Sequence, residues 1–100
     1  MIVEQSVRKI EIIDMIHIEL YGVPRLRAGT PRLTVQGSSV GEAIDAITLA
    51  CPALSDHIIN HGSIHPAYKL SLNGERFVSD RATPLNDGDI LLLLSADVGG

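Results

Sequence analysis

Tryptophan is absent from this chain, and only three aromatic residues occur among its hundred: Tyr21, Tyr68 and Phe77. A core built from this sequence is therefore aliphatic, and an aromatic left on the surface becomes a candidate anchor for a partner. Cysteine is nearly as scarce. The single Cys51 excludes an intramolecular disulfide and a thiol-rich zinc site by arithmetic. It closes the apolar end of a predicted helix just before Pro52, with no local base or cation, and reads as a small buried hydrophobe. Basic residues are few and dispersed, eight against twelve acidic ones, for a net charge of −4. Nucleic-acid affinity needs clustered Lys and Arg, so no nucleic-acid partner is expected. Long apolar runs are missing too: the longest, Ile90 to Leu94, falls far short of the roughly 20 residues of a membrane span. The N-terminus, Met1-Ile2-Val3-Glu4, lacks a charged region leading into an apolar stretch. A cytoplasmic protein with no membrane partner is the expectation.

What is present suffices for one aliphatic core, since hydrophobic residues make up 45% of the chain. Ile16, Ile18 and Leu20 alternate with His17, Glu19 and Tyr21 until Gly22 and Pro24, which describes a half-buried strand. A polar connection, Arg25 to Gly29, leads to Leu33 and Val35, alternating with Arg32, Thr34 and Gln36 as a second strand that folds back on the first. Ser39-Val40-Gly41-Glu42 fits a capping box. The helix it opens carries Val40, Ala43, Ile44, Ile47 and Cys51 on one stripe and stops at Pro52. Ala53 to Ile59 is read as another short helical turn, and Asn60, Gly62, Ser63 and Pro66 as loop. Leu70 and Leu72 precede Asn73-Gly74, a strong type I′ hairpin signal, with Phe77-Val78 on the far side. The run Ile90 to Leu94, apolar at every residue, predicts a central strand covered on both faces, entering the sheet beside the first strand. The order gives an α+β domain, one main helix across a mixed sheet. Its predicted limits are residues 15–94, after an N-terminal extension (1–14) with no clean period and before a flexible tail (95–100).

Several constellations are weighed for chemistry. His57, His61 and His65 are spaced like metal ligands on a helix, but Gly62 and Pro66 interrupt any such helix, so they read as a solvated histidine-bearing loop and no metal site is assigned. Asp80, Asp87 and Asp89 do not follow the calcium-loop spacing and read as turn formers. Gly37-Ser38-Ser39 lacks the lysine and fuller glycine pattern of a phosphate site. No catalytic residues are assigned. Arg25, Arg27 and Arg32 flank a predicted turn and read as a solvated edge or as a patch for an acidic partner. The sheet face away from the helix is the candidate partner surface, with Tyr21 and Phe77 as anchors and Arg76, Arg25 and Arg27 at its rim.

The sequence ends on Gly99-Gly100, after Ser95-Ala96-Asp97-Val98. Glycines without side chains suit a tail that threads a narrow channel and presents its terminal carboxylate to an enzyme. The stretches Met15 to Gly22, Ser39 to Ile44, Leu72 to Glu75, Thr83 to Asp89 and Gly99-Gly100, in this order and spacing, resemble the MoaD/ThiS family of ubiquitin-like sulfur carriers over residues 15–100. The resemblance implies a β-grasp fold and a carrier that is not itself an enzyme. A ubiquitin-activating-like adenylating enzyme would use ATP to couple AMP to the Gly100 carboxylate, and a sulfur donor protein would displace the AMP to leave a thiocarboxylate. Gly99 and Val98 would line the channel, and the carrier itself would bind no cofactor. An acceptor synthase would take the sulfur, the large subunit of a molybdopterin synthase first, with thiazole (thiamine) or cysteine synthesis next. A ubiquitin-like modifier joined to lysines through Gly100 and a non-catalytic β-grasp binding module are the alternatives. The tail departs from the family in having no proline before its glycines and in carrying Asp97.

Overall fold

The computed structural model describes residues 13–96. The expected extension up to residue 12, and Asp97, Val98, Gly99 and Gly100, lie outside the described residues. Five strands form one mixed sheet. They are β1 (Met15–Leu20), β2 (Arg32–Gln36), β5 (Tyr68–Leu72), β6 (Arg76–Val78) and β7 (Ile90–Ser95), in the spatial order β2-β1-β7-β5-β6. A two-residue-per-strand hairpin, β3 (Ile59–Asn60) and β4 (Ser63–Ile64), stands apart. The last strand is central, parallel to β1 and antiparallel to β5, as the apolar run predicts.

Period-two alternation puts Ile16, Ile18 and Leu20 of β1, Leu91 and Leu93 of β7, and Leu70 and Leu72 of β5 on one buried face, where the register sets Ile18 opposite Leu91 and Leu93 opposite both Leu20 and Leu70. Helix α2 (Val40–Ala50) lies across this face and buries Val40, Ala43, Ile44 and Ile47. Its start follows the expected cap with one change. The Ser39 hydroxyl accepts from the Glu42 N–H at 3.2 Å, but the Glu42 carboxylate reaches back to the Ser38 N–H at 2.8 Å instead of that of Ser39. The Ser38 backbone N–H, and after it the Ser38 hydroxyl donating at 2.9 Å, hold the Glu42 carboxyl below its ordinary pKa.

The structure corrects four sequence readings. The connection after β1 is a helix, α1 (Gly22–Ala28), because Gly22, at φ +61°, turns the chain off the strand and Pro24 falls in the first helical turn, where its missing N–H costs nothing. Gly29 closes α1 in the left-handed region. After Pro52 the chain makes only a 3₁₀ turn, Pro52–Leu54, and not a helical turn running on to Ile59. The following loop contains the β3–β4 hairpin, whose turn residues His61 and Gly62 both have positive φ. Finally, β7 is buried on one face only: Leu91 and Leu93 are fully covered, while Ile90, Leu92 and Leu94 remain half-buried on the face away from α2.

Candidate functional site

Because β7 is central, the described residues end in the middle of the sheet. Ser95 is still paired with Tyr68, and the Ala96 N–H donates to the Ala67 carbonyl at 2.8 Å. Beside this end the Tyr21 N–H donates to the Leu93 carbonyl at 3.1 Å, and α1, which follows Tyr21, packs against β7. The end of β7 is therefore held on both sides, by β5 and by the β1–α1 junction.

The face of the sheet away from α2 has an ordered composition. The strand registers line up one row across four strands and the β2 edge, Arg32, Glu19, Leu92, Ser71 and Phe77, with Leu94 opposite Lys69 in the next row toward the end of β7. Phe77 is 58% exposed and Lys69 Nζ sits 4.7 Å from its ring centroid. At the other side the Tyr21 hydroxyl donates to Glu19 Oε1 at 2.7 Å, and Glu19 Oε2 lies 3.7 Å from Arg32 Nη2. The Glu19 hydrogen bond pushes the Tyr21 pKa above its ordinary value, outweighing the nearby Arg32 and Arg25, so the phenol stays protonated. The face offers apolar contact and a few charges to a partner.

The predicted surface residues divide. Tyr21 and Phe77 do share the open face, but at its two sides, separated by Leu92 and Ser71. Arg76 lies opposite Leu72, so strand alternation assigns it to the other face of β6 from Phe77. Arg25 and Arg27 belong to α1, next to Tyr21, and not to a turn. A cleft of about 500 Å³ beside β6 is lined by Phe77, Lys69, Tyr68, Ile44 and Ile64 among others. Val23 and Leu26, exposed on α1 by 45% and 80%, escaped the sequence reading. Their i, i+3 spacing was the available signal, hidden once the segment was read as a connection. The histidines do not converge: His61 stands in the β3–β4 turn, and His65 Nδ1 accepts from the Ala67 N–H while its ring meets Tyr68 edge-on. Among the described residues no three His, Cys, Asp or Glu side chains group as metal ligands. The aspartates tie turns: Asp87 accepts from the Met15 N–H, Asp80 from the Ala82 N–H, and Asp89 from the Asn86 N–H and the Asn73 amide. No described helix is long and apolar enough to cross a membrane.

No protein-family model and no curated protein sequence matches the chain. Solved structures do. SAMP1 from Haloferax volcanii superposes with a TM-score of 0.74 at 24% identity, over 86% of this chain and 99% of that one. CysO, in the BexX/CysO complex of Amycolatopsis orientalis, gives 0.70 at 20% identity, over 85% and 99%. The complex of subunits 1 and 2 of the molybdopterin-converting factor from Helicobacter pylori gives 0.60 at 21% identity, over 86% and 99%. A five-stranded mixed sheet with its last strand in the centre, crossed by α2 and matched along almost the full length of each of these proteins, is the β-grasp, ubiquitin-like fold.

Proposed function

We propose that this protein is a sulfur carrier whose working group is the Gly100 carboxylate. The observation that supports this most is the position of β7, which ends in the middle of the sheet beside an open, partly apolar face. Attack of the carboxylate on ATP releases pyrophosphate and forms an acyl-adenylate, a far better electrophile than the carboxylate itself. A hydrosulfide equivalent from a sulfur donor protein then displaces AMP, leaving a thiocarboxylate whose sulfur is a nucleophile. Gly99 and Val98 line the partner's channel, and any Cβ at Gly99 or Gly100 hinders the approach of the reacting carbonyl. The folded body acts as a handle, and ATP belongs to the activating partner. The acceptor we favour is the large subunit of a molybdopterin synthase, on the sequence resemblance and on the likeness to subunit 1 of a molybdopterin-converting factor; the likeness to CysO, found in complex with BexX, supports a small protein that works on a protein partner.

The likeness to SAMP1, a small archaeal modifier protein, supports a second reading, in which the activated Gly100 passes to a lysine amine. Intact-mass measurement of the protein purified from its own host separates the two. A carrier gains about 16 Da when one oxygen becomes sulfur, and removal of Gly100 abolishes the shift. Lysines of other proteins that carry this chain's C-terminal segment through an isopeptide bond, with no such shift, favour the modifier. An unshifted mass together with no lysine adducts refutes both.

A further inference from the structure

On the reading that the C-terminal carboxylate is activated by a partner enzyme, we propose that α1 docks the carrier on that enzyme, with Leu26 and Val23 entering an apolar pocket ringed by carboxylates. Helix α1 has one inward side, formed by buried Pro24 and half-buried Ala28. Leu26 stands on the opposite side, 80% exposed, with Val23 one turn earlier and Tyr21, 42% exposed, just before the helix. Scattered surface leucines are ordinary, but three exposed apolar side chains within six residues, all beside the exit of a functional tail, form a patch.

Two observations choose the occupant. The first is reach. Ala96 is fixed to Ala67, and α1 packs on β7 from Tyr21 onward. Residues 97–100 extend at most about 14 Å, at roughly 3.5 Å each. An enzyme that closes on the Gly100 carboxylate therefore works within about 14 Å of Ala96, at the end of the strand on which α1 packs. The second is charge. Arg25 and Arg27 flank Leu26, and neither makes an ion pair among the described residues, although the chain as a whole is acidic. A covering surface that matches this patch supplies carboxylates around an apolar centre, the arrangement of an anchored hot spot with a charged rim.

The test is carrier-dependent ATP–pyrophosphate exchange in a soluble extract of the host, measured against carrier concentration. Wild-type carrier drives exchange and the chain lacking Gly100 does not; failure of that pair refutes the underlying carboxyl-activation reading and not the docking assignment alone. Given that result, Leu26→Glu raises the carrier KM about tenfold at unchanged kcat, as removal of a docking contact should. Arg25→Glu with Arg27→Glu also raises KM, and by more at low salt than at high salt. Leu49→Glu, at an equally exposed leucine (84%) on α2, leaves both parameters at wild-type values. Thermal melts confirm that each variant is folded. Wild-type KM in the Leu26→Glu and Val23→Ser variants, or an equal loss in Leu49→Glu, overturns the proposal.

Discussion

Leu92 and Leu93 are adjacent in a run of four leucines, yet their replacement by alanine is expected to have different consequences. Leu93 is fully buried between Leu20 and Leu70 beneath α2, with no exposed side to relax into. Leu93→Ala loses the transfer energy of the deleted carbons and leaves a cavity, for a cost of about 3 kcal/mol. Leu92 is half-buried on the open face, where solvent fills the space left by truncation. Leu92→Ala loses only part of a transfer term, about 1 kcal/mol, and creates no cavity. With a urea m-value of about 1 kcal/mol/M for a domain of this size, the two unfolding midpoints separate by about 2 M. Urea titrations followed by far-UV circular dichroism, with the m-value checked for constancy, read this directly. Equal destabilisation by the two substitutions would mean that the second face of β7 is covered, and the account of an open partner-binding face would fail.

Gly41→Ala tests the packing of α2 against the Arg81 segment. An added Cβ would lie 2.9 Å from Arg81 Cβ, and the Gly41 N–H is also bonded to the Arg81 carbonyl, so the backbone must shift; a cost of about 1–3 kcal/mol should register in thermal melts. Acid should weaken the fold through Asp45 and Glu42. The two Arg81 hydrogen bonds hold the Asp45 carboxyl below its ordinary 3.8, and the Ser38 contacts hold that of Glu42 below 4.5. Folded pKa values below the unfolded ones give stability that is present above about pH 4.5 and is lost as pH falls through the folded values. Asp45→Asn combined with Glu42→Gln should flatten the dependence of the urea midpoint on pH in that acid range, and an unchanged slope would remove these two groups from the account.

The legible parts of the fold were those in which local pattern and tertiary role agree. Alternation at Ile16, Ile18 and Leu20, the capping serine before α2 and the Asn73-Gly74 turn each specify a structure with local physics alone, and each is found in place. The segment from Gly22 to Ala28 was not legible, because glycine and proline mark turns by default and seven residues are too few to carry a helical period. Its helix is held by Pro24 and Ala28 against the core, contacts that exist only once β7 lies beside β1. The partner surface was half legible: Tyr21 and Phe77 stood out through the scarcity of aromatics, whereas Val23 and Leu26 were hidden with their helix.

From residue order alone came an aliphatic α+β core and a strand, β7, in the centre of the sheet, because hydrophobic spacing acts at the scale of a few bonds. Tertiary structure alone decided which face of β7 stays open, which arginine stands away from it, and that α1 packs on β7. Those outcomes depend on strand register and on packing between segments some seventy residues apart, and no local pattern contains that information.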